Sequence, residues 1–396
     1  MSTVTFDVVR ATEKYVVDEN GDISQVAANT PAFEYNADGT YKGMSVEEER
    51  ENICLQSEDI NTTWTSSNAT PTQSTETTPD GDSTNKYIKL VDDNTGGGAT
   101  DTVYITQPEM TVTAGQTYTA SVFLKADQLS FGAVQATNYD GNLDGTQFFG
   151  LSGAGTLGTA LNLDDSKIEA YPNGWYRCSI TWTQGASDTG VLLRIFVADS
   201  ISNITVDLDG TSSIFVWGAQ LELGANASSY IPTTTTSVTR NKDDISNTSA
   251  STYIGTAGTI YAEVQIDNIL NENQWIMYVR STTTPAENYI SMYLSSSGNF
   301  GYRLEASNVL AGSHDETATT GNHKLAIVYT TGDIRMYLDG VQVDAHTNSF
   351  TFGETLSEIY IGKTPTATTA QFNNWIRAFA FYKRALTDTE AIALTS

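Results

Sequence analysis

The side chains best suited to chemistry in this 396-residue chain concentrate in two short stretches. Asp140-Gly141-Asn142-Leu143-Asp144-Gly145 places oxygen ligands at alternate positions and glycine at a sharp turn, like the first half of a calcium loop. The bidentate acid expected at the twelfth position of such a loop is Leu151, which excludes an EF-hand. Calcium at Asp140, Asn142 and Asp144 would need further ligands from elsewhere; the alternative is a loop selected for its turn conformations. The same stretch adds Tyr139, Gln147, Phe148 and Phe149. Aromatic rings beside amides and carboxylates suit a sugar, whose CH face stacks on a ring while polar groups take its hydroxyls. A second set, Tyr289, Tyr293, Phe300 and Tyr302, surrounds one expected hairpin. The candidate glycan contacts are therefore Tyr139, Gln147, Phe148, Phe149, Tyr293 and Tyr302.

Catalytic constellations are poorer. Retaining glycoside hydrolysis needs two carboxylates about 5–5.5 Å apart. Glu263 and Asp267, in Glu263-Val264-Gln265-Ile266-Asp267, come nearest, and both equally suit the solvent face of a strand. His314, His323 and His346 are widely spaced and offer no metal-ligand pattern. No Gly-x-Ser-x-Gly elbow occurs. No catalytic residue is assigned, and a non-enzyme is expected.

The elements that must position these residues are strands. Residues 117–125 (TYTASVFLK), 175–183 (WYRCSITWT), 191–197 (VLLRIFV) and 214–223 (IFVWGAQLEL) are short β-branched and aromatic runs punctuated by Gly, Asn, Asp and Ser. That is the pattern of an all-β sandwich protein. In the first run Tyr118, Ala120, Val122 and Leu124 alternate onto one face, with Phe123 the apolar exception on the other. Asp339-Gly340 between apolar runs predicts a tight hairpin. Thr387 with Glu390 forms a capping box that opens a short terminal helix.

Four segments follow. Residues 1–54 are acidic and poor in strand signals, as expected of an extended arm that orders on docking to a partner. Residues 55–235 carry a dense strand series, 236–249 a polar Thr-rich linker, and 250–396 a second series. The expected fold is all-β: two tandem antiparallel β-sandwich (jelly-roll) domains behind an extended N-terminal arm.

Charge narrows the partners. With 20 Lys and Arg against 47 Asp and Glu, the net charge is −27, so nucleic acid is not an expected partner. No run of about 18 apolar residues is present, so membrane insertion is not expected. No basic region precedes an apolar run at the N-terminus, so a secretory signal is not expected either. Cys54 and Cys178 are too few for a disulfide framework and read as buried thiols or a single pair.

Two resemblances extend this. Tyr337-Leu338-Asp339-Gly340-Val341-Gln342-Val343, Ile359-Tyr360-Ile361-Gly362 and residues 376–386 (IRAFAFYKRAL) with the capped helix resemble a laminin-G/concanavalin-like sandwich. In that family glycosidases carry carboxylates at alternate strand positions, and Gln265 stands where the middle one is wanted. Residues 1–240 resemble an N-terminal module of tailed-bacteriophage virion proteins followed by a carbohydrate-binding-module-like jelly roll. The carriers are Ala32-Phe33-Glu34-Tyr35, Lys42-Gly43-Met44-Ser45-Val46-Glu47-Glu48, Gln56-Ser57-Glu58-Asp59 with Trp64, and Trp217-Gly218-Ala219-Gln220-Leu221-Glu222 with Ser229-Tyr230-Ile231-Pro232-Thr233.

The resemblance implies a virion structural protein assembled in the host cytoplasm, tail-fibre-like or receptor-recognising, that binds host surface polysaccharide. Its other expected partners are virion proteins, reached through the N-terminal arm. Neither a heptad run nor a Gly-x-y repeat is present, so the expected homo-oligomer would assemble through sandwich surfaces or the arm. The alternatives are a capsid decoration or baseplate scaffold without ligand, and a polysaccharide-degrading enzyme.

Overall fold

A computed structural model describes residues 5–95, 99–283, 287–365 and 371–396. As expected, the protein is built from antiparallel sheets stacked as two sandwiches, closed by the short α-helix Asp388–Thr395. The Thr387 hydroxyl accepts from the Glu390 amide, and the Glu390 carboxylate reaches back to the Thr387 amide. Asp339 and Gly340 both take positive φ (48° and 79°), which the hairpin between Asp333–Leu338 and Val341–His346 demands.

The first sandwich faces a six-stranded sheet against a larger one. Across the six-stranded sheet run Asp165–Ala170, Trp175–Thr183, Thr117–Ala126, Ser213–Leu223, Lys86–Asp92 and Ala69–Ser74. Phe131–Asp140 and Leu143–Gly150 lie in the opposing sheet. Alternation works as expected in Thr117–Ala126, where Tyr118, Ala120, Val122 and Leu124 enter the inter-sheet core. Each large apolar side chain fully buried this way contributes about 1.5–3 kcal/mol relative to exposure. Cys54 and Cys178 are free thiols buried in the same core. Phe123 joins a separate aromatic cluster on the sheet's outer face. That cluster depends on a bulge at Gly218 (φ 65°), where a Cβ would stand 2.8 Å from the Phe123 ring.

In the second sandwich, the first seven-stranded sheet runs Asp7–Val9, Asp244–Asn247, Glu358–Ile361, Gln274–Arg280, Tyr289–Leu294, Asn299–Ala306 and Val309–Thr317. Its partner sheet runs Val341–His346, Asp333–Leu338, Gly321–Thr330, Gly258–Ile266, Asn374–Tyr382, Tyr41–Val46 and Phe33–Tyr35. Both sheets therefore take edge strands from the N-terminal segment. From Asp7–Val9 the chain runs in the second sandwich, leaves through Arg50–Asn52, builds the first, and returns through Val238–Arg240. The outgoing and returning segments pair with each other, Asn52 opposite Val238 and Arg50 opposite Arg240. The first sandwich is an insertion within the second.

This differs from the expected arm and linker. Residues 5–54 are extended, but what they dock on is their own chain. The stretch 236–249 holds two strands, one of them a member of the first seven-stranded sheet. Strands of three to six residues leave little local alternation, and their partners lie some two hundred positions away, as with Val8 opposite Ile245.

Buried ions lock the junction. Asp243 accepts from Arg10 Nη1 (2.7 Å), Lys14 Nζ (2.7 Å) and the Glu47 amide (3.0 Å). Lys14 also reaches Glu47 at 2.8 Å, and Glu47 accepts from the Ser229 amide (2.8 Å) and hydroxyl (2.7 Å). Arg10 and Lys14 are almost wholly buried. Burial alone would raise the Glu47 carboxyl, but Lys14 and Arg240 outweigh it and hold it far below the ordinary carboxylate range.

Candidate functional site

The hairpin of Phe131–Asp140 and Leu143–Gly150 turns the aromatic candidates inward. Tyr139 is buried; its hydroxyl donates to the Asn162 carbonyl (2.5 Å) and its ring lies 6.2 Å from Trp182. Phe149 is fully buried in the inter-sheet core, and Phe148 packs on the opposite face with Ala133, Phe196 and Ala198. Gln147 is saturated: its amide donates to the carbonyls of Phe148 (2.7 Å) and Gly158 (3.1 Å), and its oxygen accepts from Ser166 (2.8 Å). Contrary to expectation, none of these four offers a sugar an open face.

The expected calcium ligands organise a turn. Asp140 and Asn142 are exposed, while Asp144 accepts from the Asn138 amide (2.9 Å) and the Gly141 amide donates to Asp188 (2.9 Å). Among the described residues no group of three or more His, Cys, Asp and Glu side chains converges as a metal requires. The residues present do not fit the expected calcium ion.

The second aromatic set is split by strand alternation. Phe300 and Tyr302 point into the core of the second sandwich, where the Tyr302 hydroxyl donates to Asp344 (2.8 Å). Tyr302 is thus also removed as a glycan contact. Tyr289 and Tyr293 point outward and are half-buried. On the neighbouring strand Gln274–Arg280, Trp275 and Tyr278 join them. Residues three apart on a regular strand face opposite ways. Here a bulge between Trp275 and Met277 inserts buried Ile276, so Trp275 pairs with Tyr293 and Tyr278 with Ser291, all on one face.

The four rings form a continuous row. Trp275 meets Tyr293 edge-on at 5.4 Å and Tyr278 at 5.8 Å, and Tyr278 stacks on Tyr289 at 5.1 Å with 17° between planes. The Tyr293 hydroxyl donates to exposed Asp315 at 3.2 Å. Burial, reinforced by Asp315, pushes the Tyr293 phenol up to about 12, so it remains a protonated donor at neutral pH. Charged groups frame the row. Arg280 Nε contacts Glu358 at 2.6 Å with its guanidinium 5.3 Å from the Tyr360 ring, and Arg303 Nε contacts Glu305 at 2.8 Å. Gly301 lies beneath Tyr293, where a Cβ would come 2.5 Å from the ring and collide with Asp315. Half-buried rings beside carboxylate acceptors can stack a pyranose and take its hydroxyls.

The sandwiches also enclose a polar cavity of about 90 Å³ lined by Glu34, Lys42, Glu169, Arg177, Asn374 and Trp375, among others. Lys42 sits 3.5 Å above the Trp375 ring and pairs with Asp267 at 2.8 Å, while Trp375 Nε1 donates to Glu34 at 2.7 Å. That volume holds a few waters rather than a sugar ring. The two carboxylates weighed for hydrolysis are each held by a cation: Glu263 by Arg377 at 2.9 Å, Asp267 by Lys42. Gln265 donates to Asp267 at 2.6 Å.

Trp275 and Tyr278 were not among the sequence candidates. They stand in the β-branched and aromatic run Trp275–Val279 (WIMYV), and only the bulge puts both rings outside.

A search of curated proteins returned no match. Among solved structures, the Ruminococcus gnavus IT-sialidase CBM40 is 17% identical and overlaps 37% of this chain and 86% of its own, with a TM-score of 0.32. Leech intramolecular trans-sialidase is 18% identical over 36% of this chain and 24% of its own (TM-score 0.31). A heptameric SAP-like pentraxin from Limulus polyphemus is 14% identical over 36% and 70% (TM-score 0.30). Likenesses this slight carry no argument about ligand or activity. The match by sequence is more definite: residues 233–391, which contain the whole aromatic row, match the family model of the concanavalin A-like lectin/glucanases superfamily.

Proposed function

We propose that this chain is a virion component of a tailed bacteriophage, tail-fibre-like or receptor-recognising, that binds host surface glycan through the aromatic row of its second sandwich. The single observation carrying the glycan assignment is the alignment of Trp275, Tyr278, Tyr289 and Tyr293 on one outward sheet face. The lectin-type family match over residues 233–391 supports it, and the N-terminal sequence resemblance supports the virion context. A receptor module must present its sugar face rigidly. The insertion of one sandwich into the other, with buried ion pairs at the crossing, suits that demand.

The test is a glycan array probed with the full chain and with Trp275→Ala. Saturable binding of at least one host-type polysaccharide, lost in the variant while it remains folded with a cooperative melting transition, is the expected result. A folded protein that binds nothing on the array moves the assignment to a ligand-free scaffold. Reducing ends released from a bound polysaccharide would instead favour a degrading enzyme.

A further inference from the structure

We infer that the glycan taken by this face is an uncharged polysaccharide rather than an acidic one, an inference that rests on the reading of the aromatic row as a sugar site. The argument begins with the cations. Three lie on or beside this sheet face, and each already has a carboxylate of its own. Arg280 holds Glu358 at 2.6 Å, Arg303 holds Glu305 through Nε at 2.8 Å, and Lys363, 5.4 Å from the Tyr360 ring, holds Asp244 at 2.5 Å. Recognition of a sugar carboxylate or sulfate rests on a guanidinium or ammonium free to make a charge-assisted pair. Here each such charge is already offset by a carboxylate of the chain itself, so an incoming sugar anion gains less from it.

The remaining charge points the same way. Asp315 is exposed beside Tyr293, and among the described residues it has the Tyr293 hydroxyl as a hydrogen-bond partner and no ion pair. It therefore presents an acceptor to whatever lies on the ring. Sugar hydroxyls donate to such an acceptor; a uronate, sialate or sulfate oxygen is repelled by it. Beyond contact range, the net charge of −27 sets the whole chain against a polyanion and slows its approach. The row thus combines ring faces, which are indifferent to charge, with polar groups that favour donors over anions.

The discriminating measurement is binding of the full chain to two probe sets. One set is neutral: dextran, mannan and N-acetylglucosamine oligomers. The other is acidic: alginate, hyaluronan and polysialic acid. Both are measured at about 0.01 M and about 0.1 M salt, over which the Debye length falls from about 30 to about 10 Å. The expected result is binding to a neutral probe that changes less than about twofold between the two salts, with no acidic probe competing. Glu305→Gln, which leaves Arg303 without its carboxylate, is expected to raise affinity for an acidic probe by about tenfold or more. Salt-sensitive binding of an acidic probe by the unaltered chain, abolished by Trp275→Ala, would overturn the neutral assignment while leaving the face a glycan site. Acidic binding that survives Trp275→Ala would place the ligand elsewhere and remove both readings, as would a folded chain that binds neither set.

Discussion

On the six-stranded sheet of the first sandwich and on the first seven-stranded sheet of the second, aromatic rings cluster on the face turned away from the sandwich core. Their fates differ. On the six-stranded sheet of the first sandwich, Phe123, Trp175, Phe215, Trp217 and Tyr230 gather into a second core. Tyr15 and Ile23, from the hairpin of Lys14–Val17 and Ile23–Val26, pack against it, and Trp217 is fully buried. On the second sandwich, Trp275, Tyr278, Tyr289 and Tyr293 have comparable ring-to-ring distances and remain half open. Both clusters are aromatic, the covered one built from two Phe, two Trp and one Tyr, the open one from one Trp and three Tyr. The covered cluster has another segment of the chain lying over it, the hairpin of Tyr15 and Ile23.

Breaking the covered cluster should have the largest effect. Trp217→Ala is expected to cost about 3–5 kcal/mol of folding stability, because the space left beneath the hairpin cannot fully collapse. Denaturant unfolding would measure it, and a cost under about 1 kcal/mol would mean the hairpin covers the cluster only loosely. Asp243→Ala should follow closely at about 3–5 kcal/mol, since Arg10 and Lys14 would be left buried without their shared carboxylate.

The same junction should make the protein acid-sensitive. The folded Glu47 carboxyl is depressed, so its stabilisation is complete above the unfolded value of about 4.3 and is lost as the pH falls below that. Unfolding midpoints measured across that range should decline more gently in Glu47→Gln than in the unaltered chain.

The open cluster should respond in the opposite way. Trp275→Ala is expected to cost about 1–2 kcal/mol, well below Trp217→Ala, because only half-buried ring contacts are lost. It should nonetheless weaken glycan binding at least about tenfold, read by titration calorimetry. A stability loss as large as that of Trp217→Ala would erase the distinction between the two faces. Smallest of all, Tyr293→Phe removes one half-exposed hydrogen bond to Asp315 and should weaken binding about two- to fivefold.

Much of the fold was legible because it is written locally. The alternation of Tyr118, Ala120, Val122 and Leu124, the left-handed pair Asp339-Gly340, and the Thr387–Glu390 box each state their conformation within a few residues. The candidate site was legible only in part. Tyr293 was singled out from composition and does face outward; Phe148 and Phe149, adjacent and on opposite faces of their strand, are both buried because each packs into an apolar cluster on its own side of the sheet.

By itself, the sequence determined that this chain builds antiparallel sandwiches, where its hairpins turn and how it ends, since backbone preference and side-chain period act between near neighbours. Tertiary structure alone decided that the acidic N-terminal segment completes both sheets of the distant second sandwich, that one sandwich is inserted in the other, and which aromatic rings stay open. Those outcomes depend on strand pairing across hundreds of residues and on one bulged residue, Ile276, whose position shows only once the neighbouring strand is in place.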